Sequence, residues 1–93
     1  MLKDKVIVIT GGAGLIGKEF VHAVVEQNGI AIIADINEEI GNKVKNEMSA
    51  ELNTQKIDFV KLDITSKKSL EQIIASLTEK YGKIDALVNN AYP

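Results

Sequence analysis

Lys5-Val6-Ile7-Val8-Ile9-Thr10-Gly11-Gly12-Ala13-Gly14-Leu15-Ile16-Gly17 is the stretch from which the fold can be read. Val6 to Ile9 are apolar and β-branched on both faces of the strand they favour, so the strand needs cover on both sides. A glycine cluster follows at once. Then Leu15, Ile16, Phe20, Val21, Val24 and Val25 recur at helical spacing up to Asn28-Gly29, a C-terminal stop. A buried strand, a glycine turn and a helix form the first half of a parallel crossover unit.

The same alternation continues outward. Ile30-Ala31-Ile32-Ile33-Ala34-Asp35 predicts a second buried strand. Asn37 can cap the next helix, with Glu38 and Glu39 in its positive first turn. Ile36, Ile40, Val44, Met48 and Leu52 form its expected apolar stripe, which Gly41 weakens slightly. Ile57 to Leu62 alternates in polarity, as an edge strand does, and places Asp58 and Lys61 on the exposed side. Thr65 or Ser66 starts a third helix, with Leu70, Ile73, Ile74, Leu77 and Tyr81 inward and Gly82 past its end. Ile84 to Val88 is a fourth strand, followed by Asn89-Asn90-Ala91-Tyr92-Pro93.

The order βαβαβαβ predicts an α/β fold with a Rossmann-like parallel sheet and strand order 3-2-1-4. Helices one and two then share one face, and helix three covers the other. One helix is too little for a face that β-branched strands leave apolar, and strand four has an open edge. The expectation is the first half of a doubly wound, three-layer domain spanning residues 1–93. Such a chain is either a fragment or must associate, with a homo-oligomer expected.

The glycines carry the functional signal. Gly12-x-Gly14-x-x-Gly17 fits the dinucleotide fingerprint, with a strand before it and a helix after it. An early glycine permits the tight turn, a middle one admits a pyrophosphate to the backbone, and the last lets the helix pack on the strand. The helix N-terminus adds free N–H groups and a positive dipole. Asp35 ends strand two, 18 residues beyond Gly17, where a carboxylate can hold both ribose hydroxyls of an adenosine. Its charge opposes a 2′-phosphate, and Ile36 and Asn37 offer no adjacent cation. NAD is therefore favoured over NADP. Structural readings stand beside these: a glycine turn without a ligand, and Asp35 as a helix-capping residue. A P-loop is the rival pattern, from Gly12 to Gly17-Lys18, but it needs Ser or Thr next, and Glu19 stands there.

Three features together resemble the short-chain dehydrogenase/reductase family. They are the Thr10 to Gly17 loop with Asp35, the Leu62-Asp63-Ile64 segment, and Tyr81-Gly82-Lys83-Ile84-Asp85-Ala86-Leu87-Val88-Asn89-Asn90-Ala91. The resemblance covers essentially the whole chain. It implies an NAD-dependent oxidoreductase that moves hydride between nicotinamide and an alcohol or carbonyl. Gly11, Gly12, Ala13, Gly14, Leu15, Ile16 and Gly17 would line the diphosphate, and Asp35 and Ile36 the adenosine ribose. Asp63 and Ile64 would meet the adenine, and Asn89, Asn90 and Ala91 would back the nicotinamide ribose. For Asp63 a helix-initiating role competes with the adenine contact, and Asn89 can serve strand four by bridging backbone groups.

The chain departs from the family at two places. One subgroup spaces its glycines T-G-x-x-x-G-x-G, and Leu15 occupies the second of those positions. Gly11, Gly14 and Gly17 instead match the T-G-x-x-G-x-x-G spacing of the extended members. Tyr92 replaces the glycine expected after Asn-Asn-Ala, an ending that resembles bacterial members linked to flagellin modification. The family's serine and Tyr-x-x-x-Lys, a general acid–base pair, have no counterpart here. Tyr81 is followed four residues later by Asp85 and reads as a helix-end core residue, so no catalytic residue is assigned. The alternatives are a non-catalytic adenine-dinucleotide-binding module and an S-adenosylmethionine-dependent methyltransferase fragment. Methyltransferases share the glycine turn and the acid but lack the Asn-Asn-Ala segment.

Composition narrows the remaining classes. The 93 residues are 45% hydrophobic and 26% charged, as in a folded soluble chain. Eleven basic against thirteen acidic residues, net −2, disfavour a nucleic-acid partner. No cysteine and a single histidine, His22, leave no thiol chemistry and no usual metal cage. The apolar run Val6 to Ile9 is far short of a signal peptide or of the about 20 residues of a membrane span, which predicts a cytoplasmic chain without a membrane partner. A small-molecule substrate would be held by parts of a longer protein.

Overall fold

The computed structural model describes residues 2–11 and 13–90. Gly12, Ala91, Tyr92 and Pro93 lie outside the described residues, and with them part of the expected loop and of the Asn-Asn-Ala segment.

The apolar strand that opens the chain lies inside the sheet. β1 (Val6–Thr10) is buried along its whole length. It runs parallel to β2 (Ile30–Asp35) on one side and to β4 (Ala86–Asn89) on the other, and β3 (Ile57–Lys61) extends the sheet beyond β2. The order is β3-β2-β1-β4, as the alternation predicts. Register sets Thr10 opposite Ala34 and Asn89. The strand ends that follow the chain direction therefore meet along one side of the sheet.

The period-2 alternation of the strands divides the core in two. Ile7, Ile9, Ala31, Ile33 and Ile57 pack under α1 (Leu15–Glu26) and α2 (Glu38–Glu51). Val6, Val8, Ile32 and Ala34 pack under α3 (Lys67–Tyr81) with Leu62 and Leu77. Two helices thus share one face and a single helix covers the other. No described helix is long and apolar enough to cross a membrane.

Local chemistry sets the helix ends. Asn37 Oδ1 accepts the Ile40 N–H at 3.0 Å, with Glu38 and Glu39 in the first turn of α2. Ser66, not Thr65, caps α3 by accepting the Ser69 N–H at 3.1 Å. Gly82 ends α3 in the left-handed region, at φ 81°. β4 starts two residues later than its apolar pattern suggests. The reason is Asp85: its N–H donates to Val6 O at 2.9 Å and its carboxylate accepts the Val6 N–H at 2.7 Å.

Several inward assignments are corrected by how each helix sits. On α2 the buried line is Gly41, Val44 and Met48, while Ile36 and Ile40 are exposed. A methyl group at Gly41 would overlap the Phe59 ring, so this glycine seats the helix rather than merely weakening it. On α1, Gly17, Val21 and Val24 face the sheet, which turns Leu15, Ile16 and Phe20 outward. On α3, Leu77 is buried but Ile74 is exposed, because no described element flanks that helix over β4. Asp58 departs from its expected exposed position: its side chain is 19% accessible and is held by α3.

Candidate functional site

The site is built where β1, β2 and β3 end. Gly11 has φ 67°, a conformation that suits glycine, and its N–H donates to Ala34 O at 2.7 Å. That bond fastens the glycine turn to β2 one residue before Asp35. Gly14 N–H closes the turn onto Gly11 O at 3.0 Å. Leu62 N–H donates to the Asp35 carbonyl at 3.0 Å and draws the end of β3, hence Asp63, to the same corner.

Gly14 is the N-cap of α1, at φ −79°, and among the described residues a Cβ there would meet only Gly11 O, at an ordinary 3.4 Å. Its backbone has no conformational need for glycine. What the missing side chain leaves is open approach to the head of the helix. Among the described residues that head carries no side-chain cap and no acidic residue in its first turn, whereas α2 and α3 are both capped by side chains. The leading N–H groups of α1 and its dipole are therefore available to an anion. Leu15 and Ile16 stand beside them exposed, Leu15 at 80%, and Gly17 lies buried against the sheet. Ala13 packs on the α1–α2 side of the core.

Asp35 Oδ1 accepts the Asn37 N–H at 3.1 Å, which holds the carboxylate at the strand end. Ile36 beside it is exposed. Asp63 Oδ1 accepts both the Thr65 hydroxyl at 2.6 Å and the Thr65 N–H at 2.9 Å. These two donors hold the Asp63 carboxyl below the usual carboxylate range. Its N–H donates to Ser69 Oγ at 3.2 Å. Of the two readings for Asp63, the turn into α3 is the one these bonds display. Ile64 is exposed next to it.

Thr10, read from the sequence as the strand end that opens the glycine loop, is the hub of the corner. Its residue is 3% exposed. Its hydroxyl lies 3.2 Å from Val88 O and 3.1 Å from Asn89 Oδ1, both acceptors, and accepts the Asn90 N–H at 2.9 Å. Asn90 Nδ2 reaches Gly11 O at 3.4 Å. Asn89 thus meets the threonine hydroxyl, and the Asn90 side chain reaches the glycine turn. A lone hydroxyl closing an apolar strand just before a glycine turn was the available signal. Thr10, Leu62, Ile64, Leu70, Leu87 and Asn89 line a cleft of about 140 Å³ at this end of the sheet.

Tyr81 does not approach this corner. It packs on the α3 side of the core, and its hydroxyl donates to Asp58 Oδ2 at 2.8 Å. Burial pushes its phenol up, and the bond to Asp58 adds to this. His22 is exposed, with Nδ1 3.6 Å from Glu26 one helical turn on.

A family model for short chain dehydrogenases matches residues 5–92. The flagellin modification protein A of Campylobacter coli is 43% identical over 93 residues, all of this chain and 36% of that protein. An NAD-dependent glycerol dehydrogenase of Listeria innocua is 32% identical over 90 residues, 97% of this chain and 34% of that protein. Among solved structures, a hydroxysteroid dehydrogenase from Escherichia coli superposes with a TM-score of 0.87 at 34% identity, over 99% of this chain and 38% of that one. The chain therefore spans about a third of the length of the relatives it matches. The match runs against the methyltransferase reading, and by fold, motif order and sequence the chain belongs to the short chain dehydrogenase family.

Proposed function

We propose that this chain is the NAD(H)-binding portion of an NAD-dependent short-chain oxidoreductase that moves hydride between nicotinamide and an alcohol or carbonyl. One observation carries the reading. The Gly11 N–H bond to Ala34 O seats the glycine turn, the uncapped head of α1 and the Asp35 carboxylate at one corner of the sheet. A dinucleotide needs those three groups together: N–H donors for a diphosphate and an acceptor for ribose hydroxyls.

The residues present fit such a group. The α1 N-terminus, opened by Gly14, would hold the diphosphate, with Leu15 and Ile16 against it. Asp35 would accept the ribose hydroxyls, and its charge together with uncharged Ile36 and Asn37 favours NAD over NADP. Asp63 and Ile64 would meet the adenine, and Asn89, Asn90 and Ala91 would back the nicotinamide ribose. When bound, the nicotinamide supplies the hydride chemistry. The chain's own part is to bind and orient. Tyr81 has Asp85 and not lysine four residues on, so it is not assigned proton transfer, and the small-molecule substrate pocket is assigned to the part of such an oxidoreductase that this chain does not span. Cytoplasmic location and assembly into a homo-oligomer complete the proposal.

Calorimetric titration with NAD, NADP and S-adenosylmethionine tests it. NAD is expected to bind most tightly. Asp35→Ala should weaken NAD by roughly tenfold or more, the loss of hydrogen bonds to a charged acceptor, and NADP by less. Equal losses would overturn the ribose assignment. Absence of NAD binding by the native chain would overturn the reading as a whole.

A further inference from the structure

The two edges of the sheet are treated differently. On β3, Ala31 N–H donates to Lys56 O and Leu62 N–H to Asp35 O, so the even-numbered residues address β2. Phe59 then points its N–H outward, at the position where a further strand would bind. That donor is already taken: Asp58 Oδ1 accepts it at 2.8 Å. The carboxylate is pinned from both helical layers. Lys80 of α3 reaches it at 2.6 Å, Tyr81 donates to it at 2.8 Å, and Lys45 of α2 comes within 3.8 Å around the strand. Exposed Lys61 adds a positive charge at the end of the same edge. On β4 the Asp85 N–H addresses Val6 O, so Ala86 and Val88 point outward, and among the described residues no side chain caps either N–H.

We infer that Asp58 is an edge guard: it closes β3 against pairing with a second copy of the chain. The physical logic is competition. A second copy must supply a carbonyl for the Phe59 N–H, and that carbonyl must displace a charged acceptor already in place. Lys80 and Tyr81, bound to the other oxygen, hold the carboxylate in that place, and pairing would crowd lysines from two protomers together. Two helices on opposite faces reach this carboxylate around one strand, so it also ties the layers at the edge.

Asp58→Val tests this, since valine keeps strand propensity and removes the acceptor. Sedimentation of the variant should show more dimer than the native chain at equal concentration. As dimer forms, the amides of residues 59 and 61 should slow in hydrogen exchange by about tenfold or more. No added association, or association that leaves those two amides unprotected, would overturn the inference. Should circular dichroism show the variant unfolded, the native chain decides. Its Phe59 amide is expected to exchange about tenfold more slowly than that of Lys61, and equal rates refute the cap.

Discussion

The hydroxyl of Thr10 accepts the main-chain N–H of Asn90 at 2.9 Å, across 80 residues of sequence. This bond ties the last residue of β1 to the segment after β4, and Asn90 in turn reaches the glycine turn through Gly11 O.

Thr10→Val should therefore loosen the corner. It keeps the shape and strips a buried hydroxyl from Asn90 N–H and Asn89 Oδ1, at a cost of about 1–3 kcal/mol. Thr10→Ser should restore most of it. Urea unfolding midpoints of the three proteins provide the comparison. A valine variant as stable as the native chain would show that the bond contributes little.

Gly11 and Gly14 should separate stability from binding. Gly11→Ala forces a side chain into the left-handed region at φ 67° and should lower stability by about 1–2 kcal/mol. Gly14→Val meets an ordinary backbone angle, and its Cβ an ordinary contact with Gly11 O, so circular dichroism should stay close to native. Its effect should fall on NAD affinity, because the branched side chain stands over the α1 head. Undiminished affinity for NAD in that variant would argue against diphosphate contact there.

Gly41→Ala should destabilise by about 1–3 kcal/mol, as overpacking does. The new methyl would overlap the Phe59 ring. Phe59→Leu in the same chain should recover part of the loss, because the smaller side chain vacates the space. Thermal unfolding of the single and double variants measures this coupling. Simple additivity would mean that the helix shifts rather than the ring.

Stability should fall off at both ends of the pH scale, with Asp58 involved in each. Burial alone would raise its carboxyl, but hydrogen bonds from Lys80, Tyr81 and the Phe59 N–H outweigh it and hold the group below the usual range. Asp85, held down chiefly by the Val6 N–H, and Asp63, held down by Thr65, are shifted the same way. A depressed carboxyl stabilises the fold above its unfolded value, about pH 4, and that contribution is lost as pH falls through the folded value. Lys80, raised by its bond to Asp58, and Tyr81, raised by burial and then by Asp58, act at the other end. Their contribution is complete below about pH 10 and is lost as pH rises through the folded values. Asp58→Asn should flatten the alkaline limb and soften the acid one in urea midpoints taken across pH. An unchanged alkaline limb would count against the Asp58–Lys80–Tyr81 cluster.

The strand order and the division of helices between faces were legible in the chain because both rest on local periodicity. Runs such as Val6 to Ile9 and Ile30 to Ala34 demand cover on both faces, and parallel crossovers of one hand then leave few arrangements. The glycine turn and Asp35 were legible for a similar reason: each follows directly on a strand end. The partners of Asp58, the hub at Thr10 and the seating of α2 on Gly41 were not. Each depends on residues between 13 and 80 positions away, and on the rotation of a helix about its own axis. Apolar spacing narrows that rotation without setting it. Ile36 and Ile40 extend the stripe of α2 on paper, yet the Phe59 ring decides that Gly41 faces the sheet. Sequence alone determined which segments become strands and helices and in what order they stack; packing in three dimensions decided which side chains meet, because contact distances are set by the whole assembly of neighbours and not by spacing along the chain.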